Sequence, residues 1–168
     1  MTINFLPFAK VMSMFWRINA TPCIYTIGYE GLTINSFIDR LVTEDVQILI
    51  DVRNNPSSRK PGFSKTSLRD QLQKVGVSYQ HIPELGVPSA LRKNLGTKSS
   101  YKSLFRYYDQ RILAYNLDSI ETIKAIAIRH SRVALMCFEA DYNSCHRHMI
   151  TEYLSRESTF RGKIVHLS

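Results

Sequence analysis

Hydrophobic and polar residues follow one another along this chain in blocks typical of strands and helices in turn. Residues 23–27 predict a first strand, and the nearly continuous apolar runs 46–52 and 132–138 predict strands that are covered on both faces. Shorter apolar runs at 77–82 and 163–167 predict two more strands. Because helical patterns separate these runs, we expect an α/β fold: a single layered domain with a mainly parallel central sheet flanked by helices.

The helical segments are marked by apolar residues spaced three and four positions apart. One such helix should end at Gly76, and one should run continuously from Leu104 to Tyr115. Asp118 is the expected N-cap of the next helix. Asn143 or Ser144 should cap the last helix, which would place Cys145 in its first turn.

Length and composition are typical of one globular domain. The chain has 168 residues, of which 44% are hydrophobic and 21% charged. We expect an N-terminal extension at 1–22 and a single α/β domain at 23–168. No segment has the order of a signal peptide or the ~20 apolar residues of a membrane span. The three cysteines show no disulfide pattern, so reduced thiols and a cytoplasmic location are expected.

The charge of the chain favours an anionic partner. There are 22 basic and 14 acidic side chains, a formal net charge of +8. A phosphorylated small molecule, a nucleotide or a nucleic acid would fit this charge, and no membrane partner is expected. A generally basic protein is the alternative interpretation. The oligomeric state stays open.

In open parallel sheets, ligands bind beyond the carboxyl ends of the strands, so the residues after each strand are the functional candidates. Glu30 lies in the first such loop. In the second, Asp51 ends a buried strand, Arg53 could pair with it, and Arg59 supplies a positive charge suited to phosphate. The alternative is a solvated loop with a structural Asp–Arg pair.

The third loop contains His81 and Glu84, an imidazole and a carboxylate three residues apart around a proline. Such groups suit proton transfer near neutral pH. A hydrogen-bonded core histidine is an equally open interpretation.

The fourth loop, CFEADYNSCHRH, contains two cysteines, two histidines, two acidic residues and an arginine within twelve positions. Cys137 ends a strand and Glu139 follows it, while Cys145, His146 and Arg147 should begin a helix. A helix N-terminus favours an anion and would lower the pKa of Cys145, which makes a nucleophilic or anion-binding group. A structural zinc is less favoured, because there is no C-x₂-C pair and only Cys145 and His148 have helical ligand spacing. Packing-only cysteines are a third interpretation.

These loops resemble, in order, a family of bacterial and archaeal proteins, the domain-of-unknown-function family 488. The matching segments are YTIGYEG, LIDVRNNPSSRKPGFSK, YQHIPELG and LMCFEADYNSCHRHMITEYL, which together run from about residue 23 to the C-terminus. The resemblance implies that the polar residues at the strand ends form a ligand or catalytic cleft, and it implies no substrate. A weaker similarity links Asp51, Arg53 and Cys137 to rhodanese-type sulfurtransferases, but the loop after Cys137 is longer than a persulfide cradle.

A basic segment between Leu85 and Tyr108 has no acidic residue and interleaves basic side chains with aromatic ones, namely Arg92, Lys93, Lys98, Tyr101, Lys102, Phe105, Arg106, Tyr107 and Tyr108. This pattern suits single-stranded nucleic acid. A solvated loop leading into a helix with buried aromatics is the alternative.

Two hypotheses follow from the sequence. The first is an enzyme that acts on a phosphorylated, nucleotide or nucleic-acid-derived substrate; the second is a non-catalytic nucleotide- or nucleic-acid-binding domain. The candidate catalytic residues are Cys145, Glu139, Asp51, His81, His146 and Cys137, and the candidate substrate-binding residues are Arg53, Arg59, Arg147, Glu30 and Glu84. No cofactor and no metal ligand is assigned.

Overall fold

The computed structural model of the protein describes residues 21–92 and 98–167. The predicted extension at 1–22 therefore lies almost wholly outside the described residues, and so does Lys93 of the basic segment. Within the described ranges, no helix is both long and apolar enough to cross a membrane.

Five strands form one sheet, and every pairing among the described residues is parallel. The spatial order is β3-β2-β4-β1-β5. The predicted α/β architecture is confirmed. The strands are Cys23–Gly28 (β1), Ile48–Asp51 (β2), Ser78–His81 (β3), Arg132–Cys137 (β4) and Lys163–Leu167 (β5).

The connections between the strands are mostly helical. The α-helices are Ile34–Thr43 (α1), Lys65–Lys74 (α2), Lys98–Tyr107 (α3), Leu117–His130 (α4) and Arg147–Arg156 (α5). A π-helical turn, Tyr108–Leu113, continues α3. Short 3₁₀ turns cover Pro83–Leu85, Ser89–Arg92 and Tyr142–Ser144.

A hydrophobic core lies on each face of the sheet, because successive side chains of a strand point to opposite faces. In β4, Ala134 and Met136 pack with α1 and α2. Val133 and Leu135 pack on the other face with the π turn, α4 and α5. The same alternation assigns Cys137 to the face of Val133 and Leu135. The core therefore fixes which face carries the chemistry that follows β4.

Three local expectations are wrong. The helix predicted from Leu104 to Tyr115 is α-helical only to Tyr107 and then widens into the π turn. Helix α4 begins at Leu117 after Asn116, so Asp118 lies in the first turn, where its negative charge still favours the helix dipole. Helix α5 begins at Arg147, and Cys145 precedes it in extended conformation.

Strand β4 is central to the candidate site because it lies between β2 and β1. Its last residue, Cys137, is the register partner of Gly28 in β1, and Met136 is that of Asp51 in β2. The backbone N–H of Val52 donates to the carbonyl of Met136. The loops that follow β1, β2 and β4 therefore meet at one edge of the sheet.

Candidate functional site

Four side chains with different chemistry converge just beyond β4. One donor atom from each of Cys137, Glu139, Cys145 and His146 lies within 4.8 Å of all the others. Sγ of Cys137 is 3.0 Å from Oε2 of Glu139 and 3.6 Å from Nδ1 of His146. Sγ of Cys145 is 3.9 Å from the same Nδ1. We call these four residues the thiol cluster.

The imidazole of His146 has a fixed orientation. Its Nε2 lies 3.1 Å from the backbone carbonyl oxygen of Val52. Because a carbonyl oxygen only accepts hydrogen bonds, Nε2 must carry the hydrogen, and Nδ1 is directed at both thiols. The ring of Tyr108 packs 5.3 Å from the imidazole, and the Tyr108 hydroxyl donates to the carbonyl of Leu85.

The surroundings of Cys137 favour its thiolate. Burial alone would raise the pKa of this fully buried thiol, but a hydrogen bond from Cys145, the charge of His146 and the hydrogen bonds of His146 and Glu139 hold the pKa well below its usual value. Burial alone would lower the pKa of His146, but the charge and hydrogen bond of Cys137, the charge of Glu139 and the Val52 carbonyl together raise it. Both directions favour the transfer of a proton from the thiol of Cys137 to Nδ1 of His146.

The other two members of the thiol cluster favour their neutral forms. Burial, followed by the hydrogen bond and charge of Cys137, raises the pKa of Cys145 well above its usual value. Burial and the charge of Cys137 also raise the pKa of Glu139. The expectation that Cys145 has a lowered pKa is wrong, because this thiol is buried beside Cys137 and lies before the helix rather than in its first turn.

The loop that carries Glu139 is fastened to the end of β1. The backbone N–H groups of Tyr29 and Glu30 donate to the carbonyls of Cys137 and Phe138, and Glu30 accepts from the N–H of Ala140 through Oε2 at 3.0 Å. A Cβ at Gly28 would lie 1.8 Å from the carbonyl oxygen of Glu139. Only glycine lets the two backbones approach this closely.

Arg147 secures the same loop from the other side. Its guanidinium is 1% exposed and donates to the carbonyls of Glu139 at 2.6 Å and Ala140 at 3.1 Å. Its Nε–H has no hydrogen-bond partner. Among the described residues, no carboxylate lies within ion-pair distance of Arg147. A buried cation with neutral partners favours negative charge nearby.

The expected pair of Asp51 and Arg53 is present and buried. Nε and a terminal nitrogen of Arg53 donate to the two carboxylate oxygens of Asp51 at 2.8 and 2.6 Å, and the hydroxyl of Tyr79 donates to Oδ2. Arg53 also donates to the hydroxyl of Tyr29 and the carbonyl of Phe63. Burial would lower the pKa of Arg53, but hydrogen bonds and charge from Asp51 raise it instead. These contacts link the end of β2 to Tyr29, Phe63 and Tyr79, so the pair stabilises the fold.

The remaining candidates of the second and third loops are not members of the thiol cluster. His81 is partly buried, and its Nε2 donates to the carbonyl of Arg53 at 2.8 Å. With His146 on the carbonyl of Val52, two histidines hold consecutive carbonyls after β2. Arg59 and Glu84 are exposed at the surface. Their predicted roles in ligand binding stay predictions.

The sequence predicted all four members of the thiol cluster as site residues, but not the neighbouring groups that hold them in place. Sequence reasoning considered Cys145 with His148 as the pair with metal-ligand spacing, whereas Nδ1 of His148 interacts with the carbonyl of Cys145 at 2.6 Å. It also missed the Val52 carbonyl and Tyr108. A carbonyl leaves no signal in a sequence, and Tyr108 was visible only as one aromatic residue of a helical stripe.

The basic segment is partly a surface and partly core. Lys102 and Arg106 are exposed, whereas Tyr108 is 0% exposed and belongs to the core. A shallow cavity of about 340 Å³ lies between α3 and the 142–144 turn, lined by Tyr101, Lys102, Phe105, Asn143 and Ser144. The expected aromatic surface therefore does not include Tyr108.

Comparison with known proteins identifies the family. Residues 33–154 match the family described as Domain of unknown function DUF488, and the chain belongs to it. The match covers α1 to most of α5 and includes the whole thiol cluster. No curated protein and no solved structure matches the chain.

Proposed function

We propose that this protein is an enzyme that acts on a phosphorylated substrate at the carboxyl edge of its sheet, with the thiol cluster as its reactive centre. The geometry of that cluster carries the proposal. Sγ of Cys137 lies 3.0 Å from Oε2 of Glu139 and 3.6 Å from Nδ1 of His146, and the second nitrogen of His146 is fixed by a backbone carbonyl. A thiol, an oriented imidazole and a carboxyl group are the parts that nucleophilic catalysis requires.

Each member of the centre has a distinct role in this reaction. The thiol proton of Cys137 passes to Nδ1 of His146, and the thiolate attacks the phosphorus atom of the substrate. The Sγ–P bond forms as the bond from phosphorus to the leaving oxygen breaks, and the leaving oxygen takes a proton from Glu139. Water then attacks phosphorus, returns a proton to Glu139 and releases phosphate and the Cys137 thiolate.

Access to the centre requires the 138–145 loop to open. Cys137 is 0% exposed and Cys145 is 1% exposed, while Glu139 is only half-buried. Glu139 is therefore the member of the centre that meets a substrate first. Its position suits a group that exchanges protons with the leaving oxygen and with water.

The charge around the site supports an anionic substrate. The protein has a net charge of +8, and the buried guanidinium of Arg147 lies beside the loop without a carboxylate partner among the described residues. Exposed Lys102 lies beside the 142–144 turn that leads to Cys145. Positive potential of this kind concentrates anions at a cleft. Free cysteines at all three positions fit the reducing cytoplasm as the compartment.

A non-catalytic binding domain for nucleotides or nucleic acid is the second candidate function. The near-complete burial of both thiols favours it, because a packed thiol does not meet a substrate. In this case, Lys102 and the aromatic residues at the shallow cavity beside the 142–144 turn would contact the ligand.

Substitution of Glu139 by Gln separates the two candidates, because the amide keeps the size of the side chain but does not supply a proton. Phosphate release from p-nitrophenyl phosphate and from 5′-mononucleotides would be measured on the metal-free full-length chain. Protection of Cys137 from iodoacetamide by the same compounds would report their binding. For an enzyme, Glu139→Gln should lower turnover by about 10²–10⁴-fold and leave protection intact.

The control for this experiment is Glu152→Gln on the exposed side of α5. It makes the same chemical change away from the centre and should alter neither quantity. Protection without turnover in the wild-type protein would support the binding domain. Equal turnover in Glu139→Gln and the wild-type protein would contradict the enzyme as drawn.

A further inference from the structure

The thiol cluster also has the composition of a transition-metal site. Two thiol sulfurs, an imidazole nitrogen and a carboxylate oxygen are the ligand types found at zinc centres. No other group of three or more such side chains converges in this way among the described residues. The four ligands come from the end of β4, the following loop and the two residues before α5, and they do not have the C-x₂-C spacing of common zinc motifs.

The distances fit a tetrahedral ion. Zinc bonds of about 2.3 Å to sulfur and about 2.0–2.1 Å to nitrogen or oxygen require ligand atoms about 3.3–3.8 Å apart. The separations involving His146 Nδ1 are 3.6 Å to Cys137 and 3.9 Å to Cys145, and Cys137 lies 3.0 Å from Glu139. All four atoms lie within 4.8 Å of one another. Side-chain shifts of less than about 1 Å would complete the tetrahedron.

The surroundings of His146 suit a metal ligand. A histidine that binds a metal ordinarily donates its other ring N–H to a carboxylate or backbone carbonyl, which fixes the ring and the coordinating nitrogen. Here Nε2–H of His146 donates to the Val52 carbonyl, and Nδ1 faces the thiols. The imidazole and both sulfurs are buried, as is usual for ions held by protein ligands alone.

The charges also balance when an ion is present. Two thiolates and one carboxylate around a divalent ion leave one negative charge in a buried place, which is costly without a counter-charge. Arg147 supplies that charge: it is buried, adjoins the site in sequence, and donates to the carbonyl of Glu139 itself. The ion would therefore explain why a guanidinium is buried here with only neutral hydrogen-bond partners.

We propose that the thiol cluster binds one divalent thiophilic ion, zinc in the first place, through Cys137 Sγ, Cys145 Sγ, His146 Nδ1 and the Glu139 carboxylate. The inference concerns the same centre as the proposed function but does not require catalysis there. With the ion bound, both sulfurs are ligands, and the nucleophile of the proposed reaction exists only in the metal-free form. Zinc would then act as a reversible inhibitor of thiol chemistry at this centre.

Cobalt(II) is the direct probe, since it takes the place of zinc and reports thiolate ligands by charge-transfer absorption in the near ultraviolet. The reduced, chelator-treated full-length chain should bind one equivalent of Co²⁺ with this absorption, and Zn²⁺ should displace it. Zn²⁺ should also slow alkylation of Cys137 and Cys145. Cys145→Ala and Glu139→Gln test separate ligands, and each should weaken Zn²⁺ binding by at least about 10-fold.

Cys23→Ala is the matched control, because Cys23 is also a buried free cysteine but lies at the opposite end of β1 from the site. It should bind Co²⁺ and Zn²⁺ like the wild-type protein. Circular dichroism would verify that each variant is folded. Glu139→Gln changes a half-buried side chain and keeps the test valid if Cys145→Ala does not fold.

Two results would overturn the metal site: no Co²⁺ or Zn²⁺ binding by protein with titratable reduced thiols, or Co²⁺ binding that lacks charge-transfer absorption and survives Cys145→Ala. These outcomes are independent of the proposed enzyme. Turnover without metal binding would leave the enzyme standing, and metal binding without turnover in metal-free protein would leave only the metal site.

Discussion

At the scale of single residues, the carboxyl groups of Asp51 and Glu139, which lie at the ends of neighbouring strands, have different surroundings. Asp51 accepts hydrogen bonds from Arg53 and Tyr79 and is fully buried, so its bonding capacity is used within the protein. Glu139 is half-buried beside two thiols and an imidazole. A carboxyl group is thus part of a buried ion pair at one strand end and a member of the thiol cluster at the neighbouring one.

Replacing Asp51 by Ala should destabilise the protein strongly. It would leave the guanidinium of Arg53 buried without its ion-pair partner, at a cost of about 3–5 kcal/mol in the free energy of unfolding. The control is Asp70→Ala, which removes the exposed Arg69–Asp70 pair and should cost no more than about 1 kcal/mol. Urea denaturation of both variants measures the difference. Similar losses in the two would show that the buried pair has no special structural task.

These residues also indicate what the sequence could reveal. Asp51 and Arg53, two positions apart at the end of an apolar run, predicted their pairing, because residues two apart in extended backbone point to the same side. The association of Cys137 with Cys145 was not predictable, since it depends on where helix α5 starts. Helix α5 starts at Arg147 rather than after a cap at 143–144, which leaves Cys145 buried before the helix and beside Cys137.

At the scale of elements, the strand order determines which loops meet. The apolar runs predicted five strands but not that β4 lies between β2 and β1, because pairing depends on contacts distant in sequence. That order places the ends of β1, β2 and β4 side by side. Gly28 marks a close contact among them, since a Cβ there would overlap the backbone of Glu139.

Substitution of Gly28 by Ala should damage the thiol cluster more than the fold. The new Cβ would lie 1.8 Å from the Glu139 carbonyl oxygen, so the loop must move and carry Glu139 with it. We expect Zn²⁺ affinity to fall by about 10–100-fold, as for other groups that orient metal ligands. Isothermal titration calorimetry on folded protein gives the affinity.

Gly76→Ala is the control for that substitution. Gly76 has φ +76° after α2, and a Cβ there meets no atom within 4 Å. The change should cost about 1–2 kcal/mol of stability because of the left-handed backbone, and leave Zn²⁺ affinity unchanged. If Gly28→Ala bound zinc as tightly as Gly76→Ala, the contact between Gly28 and Glu139 would not position the site.

At the scale of the whole molecule, the excess of positive charge would favour an anionic substrate only if it raises the electrostatic potential at the thiol cluster. The net charge of +8 was known from the sequence, but its direction was not, because basic residues occur on every surface. Lys102 is exposed on α3 beside the turn that leads to Cys145, whereas Lys74 is exposed at the end of α2, where the chain enters β3 from the opposite edge of the sheet.

Two alkylating agents of similar size but different charge can measure the electrostatic potential at Cys137. Iodoacetate is an anion and iodoacetamide is neutral, so the ratio of their rates reports the local field independently of how often the loop opens. In metal-free protein we expect the rate with iodoacetate, divided by the rate with iodoacetamide, to exceed the same ratio for a small free thiol. The ratio should fall as the salt concentration rises, since screening acts over about 10 Å at 0.1 M. Lys102→Gln should lower the ratio by about two-fold at low salt, the effect of one charge at about 10 Å in water. Lys74→Gln removes the same charge at the far edge and should change it little; equal effects of the two substitutions would mean that the charge of the molecule is not focused on the thiol cluster.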